Sequence, residues 1–267
     1  MTTILLDPPL SAGSSTIPRA LPRLFFTWMA VVCMLVAFVG FFPTYWLPVS
    51  HGSYRAAPIF HIHGLLFSFW MVFFVAQSAL ASTGRITRHR AVGLIGISLA
   101  TAMVVIGFVA AIASLRHGLA LGFGENAVSF SIVPIAGILT FALLFVAAIA
   151  NVRKADVHKR LMLVATASLL QAAIGRIVPL FLASPEILKL PFADRPPPPV
   201  MFSVLPGLIV DLIIVVAMVF DWRTRGRPHF TYVAGLAFVL ASQVLRVPLS
   251  ATDAWHAFAR GMLGWAG

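Results

Sequence analysis

Residues 58–81 read PIFHIHGLLFSFWMVFFVAQSALA, an apolar run with no acid, lysine or arginine in it. Its length matches the ~20 residues that a helix needs to cross the hydrocarbon core. Six similar runs accompany it, near 24–46, 91–115, 128–151, 161–183, 201–221 and 230–250. Backbone polar groups must be satisfied inside a bilayer, so each run is expected to be a helix. The fold class is therefore all-α, a polytopic transmembrane bundle of seven helices, with the lipid bilayer as its first partner.

Composition agrees. Of 267 residues, 60% are hydrophobic and 10% charged, with mean hydropathy +0.97. Soluble domains carry roughly 25% charged residues. The net charge of +11 does not indicate a nucleic-acid face, because the basic residues lie in short segments between apolar runs. A single cysteine, Cys33, excludes an intrachain disulfide and a Cys-based zinc site. No phosphate-binding loop, zinc-protease motif, nucleophile elbow or EF-hand is present.

Basic residues set the expected orientation. Arg19, Arg23, Arg85, Arg88, Arg90, Arg153, Lys154, Lys159, Arg160, Arg223, Arg225 and Arg227 fall on one side, against Arg55, Arg116, Lys189, Arg195 and Arg260 on the other. The positive-inside rule then gives N-in, C-out. Residues 1–23 read as a disordered cytoplasmic tail, 184–200 as a proline-stiffened linker, and 251–267 as an outer tail with interfacial Trp255, Trp265 and Phe258. After the first helix, three hairpins repeat weakly. Each places a histidine after its basic turn: His89, His158 and His229.

Ionisable groups inside spans are costly and mark sites by default. His61 and His63 point roughly 200° apart on a helix, so they cannot chelate one metal from it. Trp70 and Gln77 continue the His63 face at seven-residue spacing. Arg176 and Arg246 lie near the outer ends of their helices, with Gln171 and Gln243 deeper. Asp211 is expected midway along the sixth span, below a kink at Pro206-Gly207, paired with one of those arginines. These nine residues define an expected polar site in the outer half, suited to haem, a metal or a quinone-like redox partner. His89, His158 and His229 define a second candidate, an inner-side haem or metal site with arginines as propionate partners. A transporter or channel for a small anion, and an assembly scaffold, remain the alternatives.

The run His61-Ile62-His63-Gly64, with Trp70, Gln77, Thr83-Gly84-Arg85, His89-Arg90 and Gly93, resembles a widespread group of bacterial polytopic membrane proteins without an assigned activity. Val157-His158-Lys159-Arg160-Leu161-Met162-Leu163, the segment Asp221 to His229, and Arg246-Val247-Pro248-Leu249-Ser250 are similar to theirs. The resemblance covers nearly the whole chain. It implies a multi-helix protein of the bacterial inner membrane and supplies no activity.

Overall fold

A computed structural model describes residues 20–266. The predicted tail lies outside them except for residues 20–23, where the first helix begins at Ala20. Among the described residues there is no strand, and seven helices are long and apolar enough to span a membrane. These spans are Leu24–Ser50, Pro58–Ser82, Ile86–Ala120, Gly124–Ala150, Ala155–Phe181, Val200–Arg225 and Phe230–Leu249. Turns at 83–85, 151–154 and 226–229 form a basic end. The segments 51–57, 121–123 and 183–199 form the far end.

Several spans depart from expectation for identifiable reasons. The first runs on to Ser50 because Pro43 is absorbed in a π-helical turn, Phe42–Trp46. The third is 35 residues long, roughly 50 Å at the α-helical rise. It therefore outruns the hydrocarbon, and Arg88-His89-Arg90 belong to its first turns instead of a loop. The sixth span enters through a 3-10 turn, Val200–Ser203, just ahead of the proline at which a kink was expected. Pro206 stands third in the helix Val204–Arg225, where its missing N–H breaks no intrahelical bond.

The fifth span is the hub. It packs against the first, fourth, sixth and seventh spans, while the second and third close the ring. Leu163 to Ala167 are completely buried, so the helix has no lipid face over that stretch. Its close neighbours need small side chains. A Cβ on Gly40 would lie 2.6 Å from the Ala173 carbonyl oxygen, which is why the first span can cross the fifth there. The peripheral spans turn Leu94, Leu143, Val146 and Leu212 outward, as a lipid-facing surface requires.

The expected continuous fifth helix is broken. Ala155–Ser168 ends in a tight turn, and Gln171–Ile177 resumes beyond it. Leu169 and Leu170 donate to carbonyls only three residues back, those of Thr166 and Ala167. The Ser168 hydroxyl donates to Ala165 O at 2.8 Å, a local competition that loosens helices.

The 183–199 segment is folded rather than an extended linker. It contains Pro185–Lys189 and Phe192–Asp194 turns, and Asp194 holds His117 of the third span at 3.0 Å. The C-terminal stretch is an amphipathic helix, Asp253–Met262, capped by the Thr252 hydroxyl. Ala259 and Met262 bury against Ile112, Leu115 and Val128, and Trp255 Nε1 donates to Val128 O at 3.1 Å.

Candidate functional site

The face carrying His63, Trp70 and Gln77 spans about 21 Å along the second helix. It therefore reaches two separate cavities. His63 lines a far-end cavity of about 600 Å³. Gln77 lines a basic-end cavity of about 1290 Å³. Trp70 stands between them, almost fully buried, with Nε1 donating to Thr166 Oγ1 at 3.3 Å. Its ring meets Phe141 and Phe145 edge-on. This contact ties the second span to the hub and makes Trp70 part of the partition.

His61 faces elsewhere. Its Nδ1 lies 3.2 Å from the Tyr45 hydroxyl, and its ring meets Tyr54 edge-on. Gly64 accommodates Tyr45, whose ring would approach a Cβ there at 3.0 Å. His61 thus belongs to an aromatic cluster at the far end, outside both cavities. His63 stacks on Phe67 with ring centres 4.1 Å apart. Its Nδ1 is buried without a hydrogen-bond partner among the described residues.

Arg176 shares the far-end cavity with His63. Its guanidinium is held between the Phe41 and Phe192 rings, 4.1 and 4.5 Å from their centres. One nitrogen donates to Ala172 O at 2.7 Å. Arg246 does not enter this cavity. It is buried behind Gln171, donating to Gln171 Oε1 at 3.0 Å and to Ser203 O at 2.9 Å. Gln171 Nε2 donates to the same Ser203 carbonyl at 3.0 Å.

Asp211 is buried as expected but makes no ion pair with either arginine. Its Oδ1 accepts from Gln243 Nε2 at 3.2 Å. Gly207 creates room for that amide, whose atoms would lie within 2.9 Å of a Cβ. The predicted nine-residue site is thus divided: His63, Arg176 and Gln171 line the far-end cavity, Trp70 and Gln77 line the basic-end one, Arg246 is buried behind Gln171, Asp211 pairs with Gln243, and His61 joins the aromatic cluster.

The closest buried ion pair was not anticipated from the sequence. Arg160 Nε and Nη2 donate to the two Asp221 oxygens at 2.8 and 2.7 Å, with both side chains 2% exposed. Arg160 had read as a loop cation. It lies in the fifth helix, one turn in, and also holds Asp156 at 3.0 Å. A signal existed: Asp221 falls within one turn of the sixth helix's basic C-terminal residues, where an acid opposes the helix dipole unless a cation compensates it.

At the basic end, two of the three hairpin histidines come together. The His89 and His158 rings are neighbours, edge-on, with centres 6.4 Å apart and planes at 75°, and both line the larger cavity. His158 Nδ1 lies 2.9 Å from Ala148 O, and His89 Nδ1 lies 3.3 Å from Gln77 O. A carbonyl only accepts, so Nδ1 carries the proton in each ring. In the neutral form of that tautomer, Nε2 of each ring carries the lone pair. Metal-ligating histidines are oriented by this type of backbone bond.

The walls around this pair are Trp70, Phe73, Phe74 and Phe145, with Arg90, Arg153 and Lys159 also lining the cavity. Gly93 contributes open space, with no atom within 4 Å of a Cβ position. Both amide atoms of Gln77 are buried without a partner. His229 stands apart. Its Nδ1 accepts from Thr231 N–H at 3.2 Å as the cap of the seventh helix, and its own N–H donates to Asp221 Oδ2 at 3.2 Å.

Among the described residues no three His, Cys, Asp or Glu side chains are grouped to hold a metal ion. Compared with protein-family models, curated proteins and solved structures, the chain finds no match.

Proposed function

We propose that the protein is a haem-binding redox protein of a bacterial inner membrane, in which His89 and His158 would hold one haem at the basic end. The observation that carries this reading is the neighbouring histidine pair, each with Nδ1 on a main-chain carbonyl, which leaves Nε2 for a ligand bond. Two imidazoles that would hold one metal ion between them, at metal–nitrogen bonds of about 2 Å, need ring centres roughly 6 Å apart. The 6.4 Å separation fits that spacing. A porphyrin brings four ligand nitrogens of its own, so two side chains suffice.

The surroundings support the same choice. Aromatic walls suit a flat macrocycle, and Arg90, Arg153 and Lys159 suit its propionates. Gln77 offers a buried amide still lacking partners. The excess of basic residues at this end favours a cytoplasmic placement. Haem supplies one-electron chemistry when bound. The protein's part is to hold both rings in the ligating tautomer and keep water from the iron.

The transporter reading has one observation in its favour, the broken hub helix, since interrupted spans line transport sites. It requires two cooperating arginines, however, and Arg246 is already committed to Gln171 and Ser203.

The test is the visible spectrum of protein purified from haem-replete membranes, with haem quantified against protein. About one haem per chain with a Soret band is expected. A preparation that stays colourless after incubation with haemin contradicts the proposal.

A further inference from the structure

The far-end cavity joins two unsatisfied features in an apolar chamber. Arg176 carries a positive charge there, yet no Asp or Glu lines the cavity and no carboxylate lies within 4 Å of Arg176 among the described residues. The Phe41 and Phe192 rings lie against its Cζ, and one nitrogen is bonded to Ala172 O, which leaves further N–H groups to meet a ligand. His63 lines the same space, and its Nδ1 is buried without a hydrogen-bond partner among the described residues. Arg176 is half-buried, and a cation against an apolar wall with no carboxylate beside it favours a counter-anion.

The rest of the wall is mainly aromatic and aliphatic, including Phe60, Phe67, Met71 and Phe130. The volume of about 600 Å³ lies within the roughly 300–1,000 Å³ of small-molecule sites. The Phe192 turn and Pro198-Pro199 close over it, tied to the third span through Asp194 and His117.

We infer that this cavity binds a single-chain amphiphile ending in one oxyanion, with the oxyanion on Arg176 and His63 and the alkyl chain among the phenylalanines. A free fatty acid and an alkyl phosphate share this chemistry. The site is independent of the haem, because the Trp70–Thr166 contact separates the two cavities.

The experiment uses the full chain in phosphatidylcholine nanodiscs and a diazirine-bearing dodecanoate as the photolabel. Crosslinks are mapped by mass spectrometry. Labelling is expected between Phe60 and Met71, with excess dodecanoate or dodecyl phosphate displacing it and dodecanol displacing it at least tenfold less well. The stronger of the two acids identifies the headgroup. Arg176→Gln should lower labelling at least tenfold, and Arg176→Lys should recover most of it.

Gly137→Leu provides a variant that spares the cation. Gly137 lines the cavity and a Cβ there meets nothing within 4 Å. This variant should keep the wild-type melting temperature and lose labelling at least tenfold. Equal competition by dodecanol, absence of saturable labelling, or full labelling in both Gly137→Leu and Arg176→Gln would overturn the inference. Loss of haem binding with labelling intact would leave it standing.

Discussion

Asp221→Asn is the single substitution with the largest expected effect on stability. It removes the charge that Arg160 meets through two short hydrogen bonds in a site with almost no water access. Leaving one partner of a buried pair uncompensated costs roughly 3–5 kcal/mol. Asp156, which also touches Arg160, should soften the loss toward the lower figure. Equilibrium unfolding in mixed micelles checks this, and the paired replacement Arg160→Met with Asp221→Leu should recover much of the stability. A single variant as stable as wild type would deny the pair its role. The sequence concealed it because both residues sit beside basic turns, where charges are normally solvated. By contrast, the burial of Asp211 was legible, since an acid inside an apolar run has few other places to go. Its partner was not, because an amide and a guanidinium compete equally well on paper.

The elements differ in how much their sequences disclose. Seven apolar runs define seven spans, and their lengths follow from lipid thickness. The break in the fifth span was not legible, because Ser168 acts through a local hydrogen bond that hydropathy does not register. Equally hidden was the continuation of the third span through Arg88-His89-Arg90, a stretch polar enough to resemble a loop. That continuation places His89 on a rigid helix. The seventh span offers a test through its cap. Burial, helped by the nearby Arg160 and Arg225 charges, holds the His229 imidazole below its ordinary value of 6.5. Its folded pKa is thus below the unfolded one, so the folded state binds fewer protons. The stabilisation is complete above about pH 6.5 and is lost as pH falls through the lower folded value. Protonation also removes the Nδ1 acceptor for Thr231 N–H. Melting temperatures measured between pH 7 and 5 should therefore fall, and His229→Asn, which keeps a cap acceptor without titrating, should flatten the slope. An unchanged slope would remove His229 from the account.

At the scale of the whole molecule, the ring of spans around a buried hub leaves two chambers separated by Trp70 and Thr166. Helical periodicity grouped His63, Trp70 and Gln77 correctly onto one face. It could not say that a face two lengths of seven residues long opens into different chambers at its two ends. The closeness of His89 and His158 depends on how the third and fifth spans pack, and no one-dimensional pattern contains that distance. Their recurrence after successive basic turns was the only trace. His63 and Arg176 meet in the other chamber for the same reason, through packing of the second span beside the broken hub.

The central claim is that His89 and His158 would together hold one haem. Electron paramagnetic resonance of the oxidised protein tests it most directly. The wild type and His63→Ala should both show a six-coordinate, low-spin signal of two imidazole ligands. His89→Ala and His158→Ala should each lose it, becoming high-spin or haem-free while still folding. A wild-type low-spin signal that survives either of those two substitutions would contradict the account.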